Sequence, residues 1–299
     1  MTGAAIAVVG MLLLAACGDD GAAAASQGAC ATHPVRVVVS VSQWGDIVSD
    51  LAGACASVKT ILHGTAIDPH DYEPTPADLA AFSDADLVVV NGLDYDAWAV
   101  RAAGSVSPPP AMVNAGTVVG QQAGDNPHLW YGPDYVNAIA LAITAQLEAL
   151  APSASAYFHA KAAAWHEAMQ PYYDEVSTLG ADIAGKVSYE ATEPVFDYMA
   201  AAVGLLDHTP PGYRRAASNG ADPSPADLHD FEQSLSDGSV DLLLVNVQTS
   251  GAVPDQLRSA AKRAGVPVVE VTEAPPNGST FEKWQLSQLD ALAKAIGQP

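Results

Sequence analysis

Glu73-Pro74-Thr75-Pro76-Ala77-Asp78-Leu79 runs on to Asp86-Leu87-Val88-Val89-Val90-Asn91, and the second half of the chain repeats the pattern. There Asp222-Pro223-Ser224-Pro225-Ala226-Asp227-Leu228 runs on to Asp241-Leu242-Leu243-Leu244-Val245-Asn246. The shared hexad has a physical job. Thr75 or Ser224 caps a helix, proline takes the first helical position, where its missing N–H costs nothing, and the aspartate three residues on completes the cap. A capped helix followed by a short, wholly apolar run is one unit of an α/β fold, and its recurrence predicts two related lobes rather than one large domain.

Working outward, the same alternation fills each half. Strands are expected over Val35–Val41, 58–62, 87–90 and 111–113, with helices over 44–54 and 136–150. A second series follows: a strand over 186–189, a helix through Tyr198, a strand over 242–247, another helix, and a strand over 268–271. Strands alternating with amphipathic helices imply a parallel sheet covered on both faces. Between the series, 153–184 is Ala-rich and helical in pattern, with Pro171 placed to kink or divide it. It has no Gly/Ser run, so it reads as a spine. The expected architecture is therefore α/β, with two pseudo-symmetric lobes (34–150 and 186–299), each a parallel sheet flanked by helices, joined by one long spine helix within 151–185.

Composition sets limits on partners. The chain carries 34 acidic residues against 12 Lys plus Arg, a formal charge of −22, which repels phosphate backbones and disfavours nucleic acid and anionic lipid surfaces. At the N-terminus, Ala4 to Leu14 is apolar but shorter than the ~20 residues a membrane span needs, and it suits a signal-peptide core. Leu14-Ala15-Ala16-Cys17 resembles the bacterial lipobox, although Met1-Thr2-Gly3 lacks the usual basic residues. The reading is a signal peptide over 1–16, a lipidated Cys17 and a tether over 17–33. In an exported chain the two other thiols, Cys30 and Cys55, are expected to pair, since each precedes one of two neighbouring strands. A loop of this length stabilises the fold by ~3 kcal/mol at best.

Most of the eight histidines have no site around them. His33 ends the tether, His159 and His166 lie seven apart on the spine, His208 and His229 are isolated, and His63 follows a strand. His70 and His128 differ. Each sits in a Pro-stiffened loop beyond a strand, in Asp68-Pro69-His70-Asp71-Tyr72-Glu73-Pro74 and Asn126-Pro127-His128-Leu129-Trp130-Tyr131-Gly132-Pro133. Open α/β folds bind ligands at such strand C-termini. Glu193 and Glu273 hold matching places in the second half. Two imidazoles and two carboxylates converging between the lobes would suit a divalent transition ion. On spacing alone, local hydrogen-bonding roles for these loop residues remain an open alternative.

The 68–78 motif, Asn91-Gly92-Leu93-Asp94 with Trp98, and Asn126-Pro127-His128-Leu129-Trp130 resemble the solute-binding lipoproteins of zinc and manganese ABC importers. The resemblance extends over Glu193-Pro194-Val195-Phe196-Asp197-Tyr198, Pro223-Ser224-Pro225 and Val271-Thr272-Glu273, and so over nearly all of the mature chain. It implies that His70, His128, Glu193 and Glu273 are the metal ligands, that the partner is an ABC importer permease, and that the protein is no enzyme. It also implies a monomeric, lipid-anchored receptor facing the periplasm or cell exterior. Glu193 stands where zinc-preferring members usually carry a third histidine, and the His-rich loop common in zinc members is missing. Carboxylates can bind through two oxygens and raise coordination number, which slightly favours Mn(II) over Zn(II), with Fe(II) also admitted. Two other function classes compete with this one. A metallohydrolase would use His70 with Glu73, but four protein ligands would leave no open position for water. An envelope adhesin has no repeat array or stalk to support it.

Overall fold

Among the described residues, the strands β1 (Val35–Val41), β2 (Ala56–Leu62), β3 (Leu87–Val90), β4 (Ala111–Asn114), β5 (Ser188–Ala191), β6 (Leu206–Asp207), β7 (Leu242–Asn246) and β8 (Val268–Val271) form two four-stranded sheets. The structure, a computed structural model, describes residues 32–64, 69–249 and 251–297 together with Met1 and Cys30. The signal peptide, the Cys17 lipidation site and Asp68 lie outside the described residues.

Strand order is β2-β1-β3-β4 in the first sheet and β6-β5-β7-β8 in the second, and every pairing is parallel. The order of the first sheet is thus repeated strand for strand in the second, in keeping with two related lobes. Both cap residues open their helices, and the reciprocal bond from the aspartate completes the cap in the first hexad. Thr75 Oγ1 accepts the Asp78 N–H at 3.2 Å and the Asp78 carboxylate accepts the Thr75 N–H at 3.0 Å, opening the helix Pro76–Asp84. Ser224 Oγ accepts the Asp227 N–H at 3.2 Å to open the helix Pro225–Asp237. The echoed aspartates also match. Asp86 accepts the backbone N–H of Arg36 in β1 at 2.9 Å, and Asp241 accepts that of Ser188 in β5 at 2.7 Å.

The spine is divided, at the place where proline cannot donate an intrahelical bond. Its two helices, Ser155–Ala168 and Gln170–Ile183, meet at Met169, two residues before Pro171. His159 and His166 are exposed on the first of them. Cys30 and Cys55 form the expected disulfide, with Cα atoms 4.8 Å apart, where β2 enters the sheet beside β1. Among the described residues no single helix is long and apolar enough to cross a membrane.

The two sheets share a core unevenly. Strand side chains alternate between faces, and in β7 the alternation separates two apolar clusters. Leu243 and Val245 pack with Tyr213, Phe231 and Leu257 inside the second half. Leu242 and Leu244 instead join a cluster that runs through β1, β3, the spine and the C-terminal helix Phe281–Ala295. A hydrophobic core continuous across the lobes resists wide hinge motion, because opening it would expose apolar surface at roughly 25 cal/mol per Å².

Candidate metal centre

The N-terminal side of the site is built from strand ends. After β3, Gly92, Leu93 and Asp94 all take left-handed backbone (φ 76°, 56° and 63°), which only glycine adopts without strain. The turn is held by Asp96, fully buried, whose carboxylate accepts the N–H groups of Asn91 (2.7 Å) and Gly92 (2.8 Å) and the hydroxyl of Ser40. Burial raises the Asp96 pKa against the pull of those three donors. The turn delivers Tyr95 into the cleft. Its ring lies edge-on to His70 at 5.0 Å between centroids and 6.3 Å from His128, and its hydroxyl donates to Glu273 Oε2 at 3.3 Å.

His70 is exposed, on the one-turn helix Pro69–Asp71, which Trp98 Nε1 steadies by donating to the Pro69 carbonyl at 3.1 Å. His128 is buried, edge-on to Trp130 at 5.3 Å. Burial, and after it the charge of His70, pushes the His128 pKa down to about 3, so the ring is neutral at physiological pH. A neutral imidazole is the form that binds metal.

From the other side, Glu193 follows β5 and Glu273 follows β8. Both carboxylates meet one side chain, Asn246 at the end of β7. Its Nδ2 donates to Glu193 Oε2 at 2.6 Å and to Glu273 Oε1 at 2.8 Å. The amide oxygen faces the other way and accepts the Gln248 N–H at 3.0 Å, which fixes the orientation. His128 Nε2 lies 4.0 Å from Glu273 Oε1.

The four residues singled out from the sequence thus line one cleft. Among the described residues no three His, Cys, Asp or Glu side chains stand close enough to hold an ion together as they are, and the Asn246 amide lies between the two carboxylates instead. The arrangement offers two imidazoles and two carboxylates, a donor set for a borderline divalent cation. Glu73 is exposed just ahead of the Thr75 cap, where a helix-end acid is expected.

Sequence reasoning did not assign roles to Asn246, Tyr95 or Asp96. The echo pairs Asn246 with Asn91 at the ends of matching strands, and that pairing was the available signal. Nothing local to Tyr95 announces its place, which depends on the left-handed turn before it.

Further bonds tie the lobes together. Tyr131, fully buried, lies 2.7 Å from the Thr272 carbonyl and 2.6 Å from Gln288 Oε1, both acceptors for its hydroxyl. Asn126 Nδ2 donates to the Pro194 carbonyl at 2.6 Å. Asp46 accepts the N–H of Phe281 at 2.6 Å.

Comparison with known proteins gives a consistent picture. Residues 37–295 match the family model described as zinc-uptake complex component A, periplasmic. The manganese-binding lipoprotein MntA of Halalkalibacterium halodurans is 28% identical over 176 residues, 56% of this chain and 57% of that protein, so the matched part of the chain spans less than two thirds of that relative. The high-affinity zinc uptake system protein ZnuA of Bacillus subtilis is 25% identical over 83% of this chain and 81% of its own length. Among solved structures, FpvC of P. aeruginosa in complex with Ni2+ superposes with a TM-score of 0.71 at 21% identity, covering 88% of this chain and 97% of that one. At that identity the likeness speaks for the fold.

Proposed function

The chain belongs to the family of the periplasmic component A of zinc-uptake complexes, and on that premise we propose that it is the solute-binding component of an ABC importer. It captures one divalent transition-metal ion between its lobes and hands it to a membrane permease, with no chemical conversion of the ion. His70 and His128 supply imidazole nitrogens, and Glu193 and Glu273 supply carboxylate oxygens. The observation that carries this reading is the meeting of Glu193 and Glu273 on one amide nitrogen, with the neutral His128 ring 4.0 Å from Glu273. Two carboxylates gathered from separate loops are held together by a partial positive charge, and a cation would hold them more strongly. Entry of the ion would cost Asn246 its bonds to both of them.

The cargo is Mn(II) or Zn(II). The two carboxylates can each bind through two oxygens, which favours Mn(II) slightly by coordination number, and Fe(II) fits the same donors. MntA and ZnuA are named for manganese and for zinc respectively. The anchor is a lipid on Cys17, the working form is a monomer on the outer side of the cell membrane, and the lobes are 34–150 and 186–299 with 151–185 linking them. The matched family model is described by zinc uptake, which favours a transport receptor over a hydrolase acting through His70 and Glu73 or an adhesin.

Calorimetric titration of the metal-free protein across Mn(II), Fe(II) and Zn(II) tests the reading. One-to-one binding with a matching rise in melting temperature is expected, since the unfolded chain has no preformed site. His70→Ala and His128→Ala should each abolish both effects, while His159→Ala and His166→Ala leave them unchanged. Stoichiometric binding that survives loss of both His70 and His128 would refute the assigned ligands.

A further inference from the structure

We propose that Asn126 is a positioning residue that fixes the ring of His128 and couples it to the seating of the opposite lobe. The inference rests on the reading of His128 as a ligand, and it concerns how that ring is oriented before any ion arrives.

Asn126 Oδ1 faces two nitrogens of His128, the backbone N–H at 3.1 Å and ring Nδ1 at 2.6 Å. Its Nδ2 reaches across the cleft to the Pro194 carbonyl at 2.6 Å, one residue from Glu193, and its own carbonyl accepts the Tyr198 hydroxyl at 2.8 Å. These contacts admit one orientation of the amide. A flipped Asn126 would set its NH2 against the His128 N–H and its oxygen against the Pro194 carbonyl, two repulsive contacts in place of two bonds. An amide oxygen can only accept, so Nδ1 of His128 must carry the ring proton. Nε2, the nitrogen that faces Glu273, then keeps the lone pair a metal needs. Outer partners of a metal-binding histidine select its tautomer in this way.

The coupling follows from the amide having two ends. Aspartate could orient His128 equally well, but it could not donate to Pro194, and its charge would face that carbonyl. Asparagine bonds both lobes at once, so the histidine is correctly presented when the loop of Glu193 is seated.

The test uses metal-free protein first. In the parent, nitrogen-15 shifts of His128 should report the Nδ1–H tautomer alone. Asn126→Ala should show a mixture of tautomers. Asn126→Asp, nearly isosteric, should keep the Nδ1–H tautomer but speed amide exchange at Val195 and Phe196, which separates orientation from coupling. In stopped-flow release of Mn(II), Asn126→Ala should lose the ion ~10–100-fold faster, the usual range for losing such a partner. A single Nδ1–H tautomer in Asn126→Ala, or unchanged exchange in Asn126→Asp, would overturn the proposal. A parent that binds no metal would instead remove the functional reading while leaving the tautomer result standing.

Discussion

Asn91 and Asn246 end the matching strands β3 and β7, yet they spend their amides differently. Asn91 accepts from the indole N–H of Trp44 at 3.1 Å and donates to the Pro127 carbonyl at 3.0 Å, beside His128. Asn246 donates to the carboxylates of Glu193 and Glu273 themselves. The first lobe presents imidazoles, which need only to be oriented, and its asparagine works on the backbone next to one of them. The second presents two charges, which must be balanced when no cation is present, and its asparagine bonds to them directly. One fold position thus does steric work in one lobe and electrostatic work in the other.

The largest effect should come from removing a ligand on either side. His128→Ala and Glu273→Ala should both weaken metal binding by more than the ~10–100-fold expected for an outer partner, as read by calorimetry. They should differ in the metal-free protein. Loss of His128 opens a cavity against Trp130 in a buried setting, whereas loss of Glu273 relieves its repulsion with Glu193. Melting temperature without metal should therefore fall further for His128→Ala, and the reverse order would break the contrast between the lobes.

Substituting the asparagines sharpens it. Asn91→Ala and Asn246→Ala should each cost about 1–3 kcal/mol in metal-free stability, the range for orphaning buried polar partners. Metal should then act in opposite ways. Without Asn246 the carboxylates repel until an ion arrives, so the metal-induced rise in melting temperature should exceed that of the parent. Without Asn91 the loop of His128 is loosened, so the rise should shrink. Equal rises in the two variants would mean that both residues merely pack.

How far the sequence could be read follows the same division. The hexads carried the caps and the lobe count, because capping and apolar runs are local and leave their mark on neighbouring residues. Loop position and motif likeness pointed to His70, His128, Glu193 and Glu273. β6 escaped notice because two residues, Leu206 and Asp207, are too few to show a period. The second lobe's first strand was expected at 186–189 but runs over Ser188–Ala191. Gly185, in left-handed backbone (φ 68°), and the bond from the Lys186 N–H to the Ile183 carbonyl (2.9 Å) still belong to the turn that ends the spine. Asn246 was marked only by its echo of Asn91 and Tyr95 by nothing local, because their roles consist of contacts to residues distant in sequence.

A smaller effect is expected from Glu193→His. A third imidazole and one carboxylate fewer should move preference from Mn(II) towards Zn(II) by roughly tenfold, about 1.4 kcal/mol, measured as the ratio of dissociation constants. An unchanged ratio would mean that the metal is selected elsewhere in the cleft.

The smallest net effect should come from acid, because the lobes oppose each other. The His128 pKa is depressed to about 3, chiefly by burial. The stability this contributes is complete above the unfolded value of about 6.5 and is lost as pH falls towards 3. In β5, Glu190 is fully buried, and burial raises its pKa to about 7 despite a hydrogen bond from Ser234, with the charge of Asp237 adding to the rise. A raised carboxyl works in the opposite sense: its contribution is complete below the unfolded value of 4.5 and is lost as pH rises through about 7. One proton bound differently by the folded and unfolded states changes stability by about 1.4 kcal/mol per pH unit, and between pH 5 and 7 the two groups contribute slopes of opposite sign. The metal-free protein should therefore melt at nearly constant temperature across that range. His128→Gln leaves the Glu190 slope, so its melting temperature should rise as pH falls from 7 to 5. Glu190→Gln leaves the His128 slope, so its melting temperature should fall over the same interval. Scanning calorimetry of both variants decides the matter: slopes of the same sign would show that the two buried groups do not balance each other across the lobes.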